Sequence, residues 1–231
     1  MRRDTLEALR ADLAAKRPVV LATGLGSGES RLVHPFDEGG ADPALLAAAR
    51  GAAEADQSRT WEGPHGPVFL RVYNPPVRVV IVGAVHIAQA LAPMAQLAGY
   101  DVVVVDPRRA FATELRFQGV ALSHEWPDEA LRRLGLDRRT AVVTMTHDPK
   151  IDDPALQAAL RSSCFYVGAL GSKKTQAARR QRLQEAGFDE AALARIHGPV
   201  GLPIGAVSTA EIAVSILSEL VACLRGGSAS R

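Results

Sequence analysis

The chain has 231 residues, a formal net charge of +2, 47% hydrophobic and 23% charged residues, and only 5% aromatics. This length suits one large domain or a main domain with an appendage, and a core poor in aromatics is built from small aliphatics, as where helices pack closely on a sheet. The charge is too small, and the arginines too scattered, for a nucleic-acid binder, and no apolar run reaches the ~18 residues of a membrane span.

Residues 4–16 read as a charged amphipathic helix with Leu6, Leu9 and Leu13 on one face. It lacks the apolar stretch of a signal peptide, so the expected location is cytoplasmic. Residues 18–22 read as a strand, Thr23 to Gly28 as a loop, residues 43–55 as a second helix and Val68–Tyr73 as a strand. Asn74-Pro75-Pro76 then breaks the pattern, so residues 1–76 form a small N-terminal α+β domain and residues 77–225 a second domain.

Beyond that break the chain alternates. Val77–Val82, Val102–Asp106, Ala141–Met145 and Phe165–Gly168 are apolar runs of the kind a strand covered on both faces requires. Helical stretches follow at about 86–98, 127–134, 153–161 and 173–186. The expected fold class is α/β, a Rossmann-like doubly wound parallel sheet with the small N-terminal domain attached. Ser208 with Glu211 reads as a capping box opening a terminal helix whose stripe is Ile212, Ile216, Leu220 and Leu224. Gly226 to Arg231 read as a frayed tail.

Ligands of such sheets sit at the carboxyl ends of the strands, so the candidate binding residues come from the turns found there. The first turn contains Gly83, Ala84, Val85, His86 and Ala88, with Asp106 ending the next strand and Arg108 close behind it. A dinucleotide fingerprint has a second glycine where Val85 stands and an acid that takes a ribose hydroxyl, which makes Asp106 the ribose candidate and an NAD(P)-linked oxidoreductase an alternative function. His86, at a helix start in the crevice, is placed to contact a phosphate or a pterin-like ring. The third turn offers Thr146, His147, Asp148 and Lys150, while Asp153-Pro154 reads as a cap with proline at the first helical position. The fourth offers Gly168, Gly171, Ser172, Lys173 and Lys174, where glycines, free N–H groups and two lysines suit an anion. The loop from His197 to Ala206 has three glycines and two prolines, a composition suited to close approach by a ligand or another strand. Cys164 and Cys223 form no CxxC pair, so no metal site is expected, and Cys164 reads as a small core residue. No Ser-His-Asp, HExxH or paired-carboxylate arrangement is legible, which favours binding or delivery over catalysis.

Four collinear segments, VVIVGAVHIAQALAPMAQLAGYDVVVVDPRRAFATELRF, LDRRTAVVTMTHDPKIDDPALQAALRS, FYVGALGSKKTQAARRQRL and ARIHGPVGLPIGAVSTAEIAVSIL, together resemble the xanthine dehydrogenase accessory factor family, XdhC/CoxI. The resemblance implies a maturation chaperone that transiently binds the molybdenum cofactor, assists its sulfuration and hands it to the apoenzyme of a molybdenum hydroxylase of the xanthine dehydrogenase, aldehyde oxidoreductase or CO dehydrogenase type. It also implies a homodimer, with a cysteine desulfurase as a further partner. A scaffold that binds the client proteins without the cofactor is a third expectation.

Overall fold

The computed structural model describes residues 2–37 and 42–226, so residues 227–231 of the expected tail lie outside the described residues. The chain divides into two compact units, Met1–Pro75 and Pro76–Arg231.

The first unit contains α1 (Arg3–Ala14), β1 (Val19–Gly24), β2 (Ser30–Val33), α2 (Pro43–Ala55), β3 (Arg59–Gly63) and β4 (Gly66–Tyr73), with an antiparallel sheet in the order β2-β1-β4-β3. Helix α2 starts where the Asp42 carboxylate accepts the Leu45 N–H at 3.2 Å and Pro43 takes the first turn. Its Leu45, Ala49, Ala52 and Ala53 pack on Val20, Ala22, Val33 and Leu70 of the sheet. In α1 only Leu9 of the expected leucine face is buried, while Leu6 and Leu13 are largely exposed.

The second unit runs β5 (Arg78–Val82), α3 (His86–Leu97), β6 (Asp101–Val105), β7 (Ala121–Ser123), α4 (Pro127–Leu134), β8 (Thr140–Thr144), α5 (Pro149–Leu160), β9 (Tyr166–Ala169), α6 (Lys173–Glu185), α7 (Glu190–Ala194), β10 (Ile196–His197) and α8 (Thr209–Leu224). Its six strands are all parallel, in the order β10-β9-β8-β5-β6-β7. Side chains alternate between the faces of a strand. Val79 and Ile81 of β5 therefore enter one core with α3 and α8, through Leu91, Ile216 and Leu220. Val80 and Val82 enter another with α4, α5 and α6, through Leu131, Leu156 and Leu183. Both faces are covered, which makes the sheet doubly wound. The capping box is present: Ser208 Oγ accepts the Glu211 N–H at 3.2 Å, and the Glu211 carboxylate accepts the Ser208 N–H at 2.8 Å.

Helix α5 departs from the reading of the sequence. Its cap is Asp148, which accepts the Lys150 N–H at 2.9 Å, and Pro149 occupies the first helical position. Pro154 lies inside the helix, and Asp153 instead receives Arg182 in a bidentate pair at 2.6 and 3.0 Å. Starting the helix at Pro149 makes Asp152 helical and buries it, which matters for the site below. Among the described residues no helix is long and apolar enough to cross a membrane.

Candidate functional site

Chain order reverses direction between β5 and β8, so the sheet has its switch point there, where such folds open a crevice at the carboxyl edge. The register sets Val105, Val82, Thr144 and Ala169 in one row across β6, β5, β8 and β9. The turns after these strands therefore leave the sheet at one level, spread over about 14 Å at the usual strand spacing. This row brings the candidate residues of all four turns to one edge.

The turn after β5 is fixed from two sides. Gly83 has a φ of +112°, and a Cβ there would lie 2.6 Å from Thr146 Cγ2, so only glycine fits against the β8 turn. The Ala84 N–H donates to Asp106 Oδ2 at 2.8 Å. Asp106 is fully buried and also receives the Arg108 N–H at 2.9 Å and the Arg108 guanidinium at 2.9 and 2.8 Å. Burial pushes this carboxyl up, but the Arg108 side chain, the Ala84 N–H and the Arg108 N–H together outweigh it and hold it below the usual carboxylate range. The expectation that Asp106 takes a ribose hydroxyl gives way here. Both of its oxygens are engaged and none of its surface is open, so it is a fastener between two turns. Arg108, expected in the crevice, is engaged in the same bond and lies over the Phe111 ring at 4.6 Å. Its charge is held still more firmly, first by Asp106 and then by the fields of Asp148 at the cap of α5 and Asp152 in its first turn.

The β8 turn is organised by a residue that pattern reading passed over. Asp152 is 1% exposed and accepts the Thr146 hydroxyl at 2.7 Å, the Thr146 N–H at 3.2 Å and the His147 N–H at 3.1 Å. Arg179 of α6, itself 2% exposed, faces it at 3.3 Å and also donates to Leu170 O at 3.1 Å and Gln176 Oε1 at 2.6 Å. Burial pushes the Asp152 carboxyl up and the Arg179 guanidinium down, as it must when both charges leave water. The Asp152–Arg179 pair thus ties the turn after β8 to the turn after β9. It holds His147 in the left-handed region, at φ 64°, with its ring exposed. Among the described residues, the buried Thr144 Oγ1 and Arg179 Nε at this edge have no hydrogen-bond partner.

The helix starts at this edge differ in what they offer. Helix α5 is capped by Asp148, and α6 by Ser172, whose Oγ accepts the Thr175 N–H at 3.2 Å. Helix α3, at the switch point, begins at Val85 with no side-chain cap among the described residues. Helix α4, after the marginal strand β7, likewise has no side-chain cap, so the uncapped N–H groups at the switch point itself are the first ones of α3, beside the exposed His86. Lys150, Lys173 and Lys174 are all exposed, whereas Gly168 is buried in β9 beneath Val200 and Tyr166. Gly168 is therefore a packing residue and lies below the crevice surface.

The family described as "XdhC Rossmann domain" matches residues 79–220, well over half of the chain. The chain belongs to the XdhC family. It is 33% identical over 164 residues to the molybdenum cofactor insertion chaperone PaoD of Escherichia coli, a match covering 71% of this chain and 45% of that protein. It is 30% identical over 155 residues to a Bacillus subtilis protein named as a probable xanthine dehydrogenase subunit, covering 67% of this chain and 45% of that one. The chain thus spans less than half the length of these curated relatives. A crystal structure from Bacillus halodurans, described as a xanthine dehydrogenase, superposes with a TM-score of 0.70 at 24% identity over 97% of this chain and 67% of that one, which shows a shared fold.

Within this XdhC chain, sequence reading located the turns and missed their supports. Asp152 and Arg179 carry no pattern that separates them from solvent-facing helix charges. The glycine-rich loop after His197 approaches α8: Gly201 has φ +97°, and a Cβ there would lie 2.3 Å from Ser215 Oγ.

Proposed function

We propose that this chain binds the anionic molybdenum cofactor at the carboxyl edge of its parallel sheet and delivers it during maturation of a molybdenum hydroxylase. One observation carries the reading: within an XdhC domain, the helix start at the switch point has no side-chain cap, and its own turn and the turns after β8 and β9 carry the exposed His86, His147, Lys150, Lys173 and Lys174. A phosphate on α3 is stabilised by free N–H groups and the helix field, as anions at helix starts are. Lys150 sits on the turn after the neighbouring strand β8, and Lys173 and Lys174 one strand further along, after β9, where they neutralise the rest of the charge without enclosing the ligand. A delivery protein needs this openness, because a tightly enclosed cargo is not handed on.

The name of the E. coli relative supports the cargo, and that of the B. subtilis relative supports a xanthine dehydrogenase-type client. Assistance with sulfuration of the cofactor belongs to the same proposal, as does insertion into the apoenzyme. The engagement of Asp106 weighs against the dinucleotide alternative, since the ribose acceptor of that mode is absorbed into the turn.

The test is a maturation assay. A molybdenum hydroxylase apoenzyme is produced in cells that make the cofactor, with this chain, without it, or with His86→Ala/Lys173→Ala/Lys174→Ala. The wild-type chain raises the active fraction of the client and the triple variant does not. Equal active fractions in all three would remove the proposal.

A further inference from the structure

At the other margin of the sheet lies a polar cluster that the proposed cargo site does not use. Glu219 of α8 is fully buried, an unusual place for a carboxylate unless hydrogen bonds compensate it. Its Oε2 accepts the Tyr166 hydroxyl at 2.6 Å and the Gly201 N–H at 2.8 Å. Its Oε1 lies 3.2 Å from His197 Nδ1. The His197 ring also stacks on Tyr166 at 4.6 Å between centroids, so the imidazole is held both in plane and in direction. One helical turn beyond Glu219, on the same face of α8, is Cys223, whose Sγ lies 3.8 Å from His197 Nε2.

These contacts dictate a proton arrangement. With Nδ1 facing a carboxylate oxygen, the ring proton belongs on Nδ1, which leaves the Nε2 lone pair directed at the thiol. A thiol, an imidazole and an orienting carboxylate in line form the nucleophile–base–orienter series of covalent catalysis. Cys223 stands in the last turn of α8, where helix carbonyls disfavour a resting thiolate. The base is therefore needed at the moment of attack. Cys164 is its opposite: buried two residues ahead of β9, with its thiol pushed up by burial and hydrogen-bonded to Ser162.

We infer that Cys223 is a thiol nucleophile served by His197 as base and Glu219 as positioning residue, and that its substrate class is a low-molecular-weight disulfide, which modifies the chain at this position. As Sγ attacks one sulfur of the disulfide, its proton passes to His197 Nε2. The Cys223–sulfur bond forms and the disulfide bond breaks. The departing thiolate leaves with the electron pair and takes the proton from His197. Cys223 is oxidised to a mixed disulfide, half of the substrate is reduced to a thiol, and no further oxidant is required. The inference does not depend on the cargo proposed above.

The full chain is alkylated with iodoacetamide, folded or unfolded in guanidinium, at one pH, and Cys223 and Cys164 are followed separately by peptide mass. Cys223 is expected to react about ten-fold faster in the folded chain than in the unfolded one, since a free thiol near neutral pH is only a few per cent thiolate and a base supplies the rest, whereas Cys164 reacts more slowly when folded. His197→Gln, which keeps a donor toward Glu219 and removes the base, brings Cys223 down to the unfolded rate or below. Oxidised glutathione in place of the alkylator adds one glutathione to the chain, at Cys223. A folded-state rate for Cys223 at or below the unfolded rate overturns the nucleophile without reference to any variant. Fast alkylation without a mixed disulfide overturns the substrate class.

Discussion

Asp106 and Arg108, two positions apart at the end of β6, form a bidentate pair that also captures the Ala84 N–H, so one buried carboxylate joins the turns after β5 and β6. The pair lies under the helix start proposed to receive the cofactor, and its loss is expected to act first on stability. Asp106→Ala leaves the Ala84 N–H and a partly buried guanidinium without their acceptor, at a cost of about 3 kcal/mol. Urea unfolding measures this, and an unchanged midpoint would show that the fastener is dispensable.

The same pair makes a prediction about acid. Because Asp106 is held below its ordinary value of 3.8, its contribution is fully present above that pH and is lost as pH falls through the lower folded value. Asp106→Asn should therefore be destabilised at neutral pH by an amount that shrinks below pH 3.8. Asp152 runs the other way, since burial raises it and protonation in acid favours the folded state. Unfolding midpoints of wild type and Asp106→Asn across the acid range test this, and a gap of constant size would contradict it.

Gly83 is the position where the backbone tolerates least change. Its φ of +112° and the 2.6 Å approach of Thr146 mean that Gly83→Ala must both strain the backbone and displace the β8 turn. The expected cost is about 2 kcal/mol, with a loss of ligand binding greater than the loss of stability explains. A Gly83→Ala chain with wild-type thermal unfolding would show that the two turns do not pack as described.

Asp152 and Arg179 allow a test of coupling. Removing either leaves the other charge buried, so Asp152→Ala is expected to cost about 3–5 kcal/mol, while the double change Asp152→Ala/Arg179→Met costs less than the sum of the singles. Additive costs in a double-mutant cycle would mean that the pair does not carry the link between the two turns.

The parallel sheet was legible because strands buried on both faces must read as unbroken apolar runs, as Val79–Val82 and Ala141–Val143 do. Strands β2, β3, β7 and β10 escaped because they are short or half-buried, with no such run to give them away. The start of α5 was ambiguous because Asp148-Pro149 and Asp153-Pro154 carry the same cap signature. Tertiary structure chose the first, which places Asp152 within reach of the Thr146 and His147 N–H groups. The candidate turns could be read from their position after strands. The buried acids Asp152 and Glu219 could not, because a charged residue on a helix ordinarily faces water and only the folded chain shows which ones do not.

The cargo itself gives the most direct test. The chain is purified from cells that make the molybdenum cofactor and desalted, and pterin fluorescence after oxidation is measured per chain alongside molybdenum. The account predicts retention approaching one cofactor per chain, falling sharply in His86→Ala/Lys173→Ala/Lys174→Ala while the unfolding midpoint stays within about 0.5 kcal/mol of wild type, since all three residues are exposed. A wild-type chain that retains no cofactor, or a triple variant that retains as much as wild type, would contradict the account.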